Sequence, residues 1–159
     1  MAMSKVSNGG SIIIFSIIIA ILLVLVPLPE ELRFARPEWV VMTLIYWSMA
    51  LPRRVGVGFA WVTGLLMDII LGGILGVYAF VYALVVYLIA RFHLQLRQYP
   101  LWQQALTIMS LVLLVHVLTV VLSPKSAGWQ LWLPAVTSTI MWPFVYAILR
   151  KCRRTFHVS

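Results

Sequence analysis

Read as apolar and polar positions, the chain consists of six long apolar stretches separated by short polar breaks. They run from Ser11 to Val26, Trp39 to Leu51, Val55 to Leu71, Ile74 to Ala90, Leu101 to Leu122 and Leu131 to Leu149. At about 1.5 Å per helical residue, stretches of roughly 16 to 22 residues approach or cross a hydrocarbon core of about 30 Å. The second stretch is shorter, and it needs tilt, local thinning, or helical extension back through Arg36 and Pro37, where proline is tolerated as a first-turn residue. The segment from Val55 to Ala90 would measure about 54 Å as one helix, so it must break, and Gly72 and Gly73 are the predicted break. Backbone polar groups in lipid need partners within the protein. The predicted fold is therefore an all-α integral membrane bundle of about six transmembrane helices in a single domain, residues 1–159, ending in a basic tail, residues 150–159.

Composition points the same way: 63% of the residues are hydrophobic and only 10% charged, which no water-soluble fold of this size can bury. The net charge of +8 does not signal nucleic acid, because the bases fall in twos to fours between apolar runs rather than in one stripe. Their placement instead sets an orientation. With six spans and both termini in the cytoplasm, the inner side receives Lys5, Arg53, Arg54, Arg91, Arg97, Arg150, Lys151, Arg153 and Arg154. The outer side receives only Arg33, Arg36 and Lys125, together with the acids Glu30, Glu31 and Glu38. Such an imbalance over short loops predicts a first helix that starts inside, and it is expected to stay uncleaved because Pro27, Leu28, Pro29, Glu30 and Glu31 follow it with no small-residue cleavage pattern. Arg53, Arg54, Arg91, Arg97, Arg150, Lys151, Arg153 and Arg154 are then expected to anchor the protein on the anionic lipids of the inner surface, with the segment from Arg91 to Tyr99 lying along it.

Catalytic patterns are missing. There is no GxSxG, no HExxH, no Gly-rich phosphate loop and no cluster of His, Cys, Asp and Glu at metal-ligand spacing. The single cysteine, Cys152, permits no intramolecular disulfide. These absences predict a protein that is not an enzyme and carries neither cofactor nor metal.

A packing surface is present instead. Steps of four back and forward from Asp68 give Gly56, Ala60, Gly64, Asp68, Gly72 and Gly76, with Gly73 beside them. Small residues at this spacing let a second backbone approach closely, either within the subunit or from a partner's transmembrane helix. Asp68 stands in the middle of this row, and an ionisable group at such depth pairs with another group, faces a wet cavity or serves a site. Three accounts are open: contact with outer-surface water, a structural lock, or a ligand or ion site. As a lock its partners would be His116, Arg33 or Arg36, or the backbone exposed at Gly72 and Gly73, and the lock is the expectation adopted. His116, Arg36 and Pro37 complete the expected polar set on the outer side. Trp39, Tyr99, Trp102, Trp129 and Trp132 stand at run ends, where aromatic rings sit at headgroup level. Within the last stretch, Trp142 and Pro143 mark a predicted kink, because Pro143 cannot donate to the carbonyl of Thr139.

Five ordered motifs carry a resemblance: RPEWV at Arg36 to Val40, LPRRVGVG at Leu51 to Gly58, GLLMDIILGGILG at Gly64 to Gly76, LWQQ at Leu101 to Gln104, and MWP at Met141 to Pro143. In this order the chain resembles the rod shape-determining MreD proteins of Gram-negative bacteria. The resemblance implies a subunit of the inner membrane that belongs to the cell-elongation machinery. It would bind the bitopic protein MreC through transmembrane and juxtamembrane contacts and, through MreC, the glycosyltransferase RodA, its partner transpeptidase and the MreB filament. It also implies a non-catalytic role in peptidoglycan synthesis and rod shape. The bundle is similar to the substrate-binding subunits of energy-coupling-factor transporters, so a small-ligand-binding membrane subunit is the second reading.

Overall fold

A computed structural model describes residues 2–27, 29, 38–51, 55–72, 74–122 and 132–155, the side chains of residues 2–9, 132 and 134 excepted. Six helices account for nearly all of them: α1 (Ala2–Leu25), α2 (Trp39–Ala50), α3 (Val57–Leu71), α4 (Val77–Gln98), α5 (Leu101–Leu122) and α6 (Trp132–Thr155). No strand occurs among the described residues. Helices α4 and α5 are long and apolar enough to cross a hydrocarbon core by themselves.

The centre of the bundle is the short helix. Every residue of α2 from Val40 to Ala50 is buried, and α2 packs against α1, α4 and α6. A helix enclosed on all sides has no reason to be amphipathic, which is why its apolar residues show no preferred face. Its length of 12 residues, about 18 Å, is less than a hydrocarbon core, but its neighbours rather than lipid surround it. Helical extension through Arg36 and Pro37 lies outside the described residues.

The remaining helices bury one stripe each. Ile13, Ile17 and Ala20 of α1 and Ala135, Ser138, Trp142, Val145 and Leu149 of α6 recur every third or fourth residue, the period of one helix face. Their outer faces are apolar too: Phe15, Ile69, Leu75, Val121, Ile140 and Ile148 are all more than 60% exposed. A continuous apolar exterior of this kind is stable in lipid and unstable in water. Hydroxyls are consistently returned to their own helix. Thr43, Thr63, Thr107, Ser110, Thr119, Thr137 and Thr139 each donate to the carbonyl four residues back, so none of these seven hydroxyl protons is left facing lipid.

Several boundaries differ from the sequence expectation. Helix α1 begins at Ala2, well before Ser11, and α6 continues to Thr155, so Arg150 to Arg154 are the last turns of a helix rather than a tail. The segment from Arg91 to Gln98 likewise continues α4 instead of forming a separate surface segment, because its backbone keeps donating within one unbroken helix. Pro143 lies inside α6 without ending it. Trp142 is fully buried whereas Pro143 is exposed, so the missing N–H falls on the face turned away from the bundle.

Candidate functional site: the two polar ends of the bundle

Polar side chains gather at two opposite ends of α2 and α4. At the first end, α3 stops where Gly72 adopts the left-handed conformation, φ 69°, and donates its N–H to the Asp68 carbonyl. The chain reverses and α4 starts after Gly76, also left-handed at φ 100°. Both positions favour glycine, because a Cβ is strained there. This reversal brings the first turn of α4 against Asp68. Its Oδ2 accepts the N–H of Gly76 at 2.9 Å and that of Ala79 at 3.4 Å, while Oδ1 accepts the N–H of Tyr78 at 3.0 Å. Asp68 is 2% exposed, so a carboxylate from one helix serves as the N-terminal cap of the next. The partial positive charge of that helix terminus provides the compensation that a buried carboxylate needs.

These bonds correct the expected partners of Asp68. They go to Gly76, Tyr78 and Ala79 rather than to the backbone at Gly72, and Gly73, Arg33 and Arg36 lie outside the described residues. His116 is engaged elsewhere: its Nε2 lies 3.2 Å from Oε1 of Glu38, outside hydrogen-bond geometry but at ion-pair distance when the imidazole is protonated. Glu38 precedes the first turn of α2, and its N–H donates to Oγ of Ser138 at 3.0 Å, a contact between residues 100 positions apart. One residue therefore ties the start of α2 to both α5 and α6.

The small-residue row is also revised. Only Ala60, Gly64 and Asp68 lie within α3, whereas Gly56 precedes it and Gly72 and Gly76 flank the reversal. Ala60 is fully buried, and a Cβ built on Gly64 would overlap the backbone of Tyr78 and Ala79. That approach between α3 and α4 forms the most extensive helix contact in the bundle, so the row's central face is taken up within the chain itself. A Cβ on Gly72 or Gly76 would meet nothing nearby; these residues are required for backbone conformation rather than for space.

The second end is basic. An open cavity of about 530 Å³ is lined by Tyr46, Met49 and Ala50 of α2, Arg97 of α4, Gln104 of α5, and Tyr146, Arg150, Arg153 and Arg154 of α6. Tyr46, Met49, Ala50 and Gln104 are buried and form its floor, and Tyr46 meets the ring of Tyr146 edge to face at 5.5 Å. Gln104 donates through Nε2 to the carbonyl of Leu96 at 2.9 Å, which also accepts the N–H of Tyr99 at 3.2 Å at the end of α4. Both ends of α4 are thus capped by a side chain from a neighbouring helix. Arg91 and Lys151 are exposed outside this cavity, Arg91 near Tyr87, and Arg53 and Arg54 lie outside the described residues.

A third feature is apolar. Between α1 and α6 a cleft of about 540 Å³ reaches the central helix at Trp39 and Thr43, and Phe15, Ile19, Leu23, Ile148 and Cys152 are among the residues lining it. Nearby, Nε1 of Trp47 donates to Oγ of Ser16, which donates to the carbonyl of Ile13, so α1 is pinned to α2 by a hydroxyl relay.

The family profile described as rod shape-determining protein MreD matches residues 5–152. The chain belongs to the MreD family. The rod shape-determining protein MreD of Haemophilus influenzae is 37% identical over 141 residues, covering 86% of this chain and 87% of that relative. No solved structure matches the chain. Family and apolar helices together make it a membrane protein. Of the residues quoted for the resemblance, the structure gives Glu38, Asp68 and Gln104 specific bonding roles, all three made between helices. The roles of Glu38, Ser138, Ser16 and Gln104 are not in the sequence reading. The only signal for Gln104 is its position one turn after Pro100, where a side chain can reach back to the helix just ended.

Proposed function

We propose that this protein is a non-enzymatic, multi-pass subunit of the bacterial cell-elongation complex in the inner membrane, with six spans and both termini in the cytoplasm. It binds MreC and, through it, is joined to RodA, its partner transpeptidase and MreB, supporting peptidoglycan synthesis and rod shape. Membership of the MreD family over nearly the whole chain carries this reading. The cleft between α1 and α6 suits the transmembrane helix of MreC, because it is apolar and opens onto Trp39 and Thr43 of a central helix that is otherwise enclosed. The face at Gly64 does not serve, since α4 occupies it. The small-ligand reading needs converging polar groups in a pocket that faces outward, whereas the polar cavity lies at the basic end, which the charge distribution assigns to the cytoplasm.

Cysteine crosslinking in the membrane tests the cleft. Cysteines at Phe15, Ile19 and Ile148 are expected to crosslink to the transmembrane helix of MreC, and cysteines at Trp61 and Ile69, exposed on α3, are not. Adducts at Trp61 and Ile69 with none at the cleft would overturn the assignment. Labelling of a cysteine at Ser159 from the cytoplasmic side only is the matching test of orientation.

A further inference from the structure

Four guanidinium groups border one cavity, and no acidic residue lines it. Among the described residues the acids are Glu38 and Asp68, and both are engaged at the far end of the bundle. Converging cations repel one another, and that repulsion is weak only while the groups point outward into water and salt. Arg97, Arg150 and Arg154 are exposed, and the fourth is drawn inward. Arg153 is half-buried beside the Tyr46 hydroxyl, and the floor beneath the arginines carries a further unmet polar atom: Oε1 of Gln104, buried and without a hydrogen-bond partner. Surface anchoring of the whole basic set would distribute arginines along an edge; it does not require a cavity, a tyrosine floor or a free acceptor.

A second cavity lies on α4 and α5. About 320 Å³ lies in a groove between α4 and α5, lined by Leu88, Phe92, Leu96, Tyr99, Thr107 and Leu111 among others. Leu96 precedes Arg97 in the chain, and Thr107 follows Gln104 by about one turn, so the groove and the arginine cavity reach the same level of α4 and α5. A cationic recess at the level of an apolar groove matches one amphiphile. The guanidinium fork binds a phosphate diester through paired N–H donors, and the groove takes an acyl chain.

We propose that the cavity formed by Arg97, Arg150, Arg153 and Arg154 is a binding site for the phosphate ester head group of an anionic phospholipid, whose chain lies in the α4–α5 groove. The unpartnered Oε1 of Gln104 fits a head group that carries a free hydroxyl, as phosphatidylglycerol does. This deepens the inner-surface anchoring stated above and rests on it only for the choice of leaflet. The same phosphate chemistry is offered by soluble esters such as glycerol 1-phosphate, and the groove favours the lipid.

The test is a native mass-spectrometric titration of the full-length protein in a nonionic detergent, with phosphatidylglycerol, phosphatidylcholine and glycerol 1-phosphate as separate probes. One phosphatidylglycerol per chain is expected, held at least about tenfold more tightly than phosphatidylcholine. Replacing both Arg150→Gln and Arg153→Gln should weaken it by about tenfold or more, as expected when hydrogen bonds to a charged group are lost. The pair Arg91→Gln and Lys151→Gln removes the same charge outside the cavity and should change binding by less than about twofold. Equal losses from the two pairs, or phosphatidylcholine bound as tightly as phosphatidylglycerol, would overturn the site. Glycerol 1-phosphate bound as tightly as the lipid would overturn the lipid assignment in favour of a soluble ester. Detergent binding does not depend on orientation, so a protein facing the other way would fail the labelling test at Ser159 and still pass this one.

Discussion

At the Glu38 end of the bundle the described carboxylates are contacted from within the chain, whereas at the basic end four arginines share a cavity that no acid lines. Asp68 is met by three backbone N–H groups and the dipole of α4, and Glu38 donates its N–H to Ser138 and lies 3.2 Å from Nε2 of His116. The cost of placing a carboxylate within a membrane helix, about 2.5 to 3.5 kcal/mol at its centre, is thereby offset from inside. At the other end, Arg97, Arg150, Arg153 and Arg154 line a recess with only neutral polar groups around them. The first end is a joint made within the chain. The second is the end for which we propose an anionic occupant, and this asymmetry predicts opposite responses to substitution.

The largest effect is expected at Gly64→Leu. The leucine would drive α3 away from the backbone of Tyr78 and Ala79, and overpacking against backbone cannot relax by a rotamer change. Loss of several kcal/mol, seen as loss of folded protein from the membrane, is the expected outcome. Leucine at Phe80, exposed to lipid on α4, should leave the level unchanged. Equal levels for Gly64→Leu and the wild type would mean that α3 and α4 do not meet there.

Gly76→Ala probes the same joint more gently. A left-handed residue other than glycine costs about 1 to 2 kcal/mol, so a thermal midpoint in detergent lowered by several degrees is expected, with no change in lipid binding. A smaller cost, about 1 kcal/mol, is expected for Ser138→Ala, which leaves the N–H of Glu38 without its acceptor.

How much of this was legible follows the range of the interactions. Six helices, the break at Gly72 and the importance of Asp68 are local properties: periodicity, a glycine pair, and a charge in an apolar run. The partner of Asp68 is not local in the same sense, although it lies only 8 to 11 residues onward. It depends on the chain reversing so tightly that one helix starts beside the end of another. The signal was present as a carboxylate one turn before a Gly-rich reversal. Read as a row on one continuous helix, the same glycines suggested a partner face instead. The joint at Glu38 was invisible because its members come from three helices far apart in sequence. The central place of α2 was readable only from its lack of any polar face, with Thr43 and Ser48 bonded to their own backbone. A short stretch looks marginal in lipid, and yet it is the one that lipid does not surround.

At the basic end the smallest effect on stability is expected. Arg153→Gln relieves repulsion among guanidinium groups, so in detergent free of anionic lipid the thermal midpoint should stay within the change produced by about 0.5 kcal/mol, or rise. A marked fall would mean that Arg153 has an internal role and that the two ends are alike.

The measurement that bears most directly on the joint is complementation of rod shape by Asp68→Asn and Asp68→Leu, with membrane levels determined alongside. Asparagine keeps one oxygen able to accept from the first turn of α4, and the two residues serve almost equally as caps. Leucine leaves the N–H groups of Gly76, Tyr78 and Ala79 unpaired, at about 1 to 3 kcal/mol for each one that stays dry. A cap therefore predicts that Asp68→Asn retains most of the shape and membrane level and that Asp68→Leu loses both. Failure of Asn and Leu alike, with both proteins present at normal level, would show that the charge itself is used and would contradict the account.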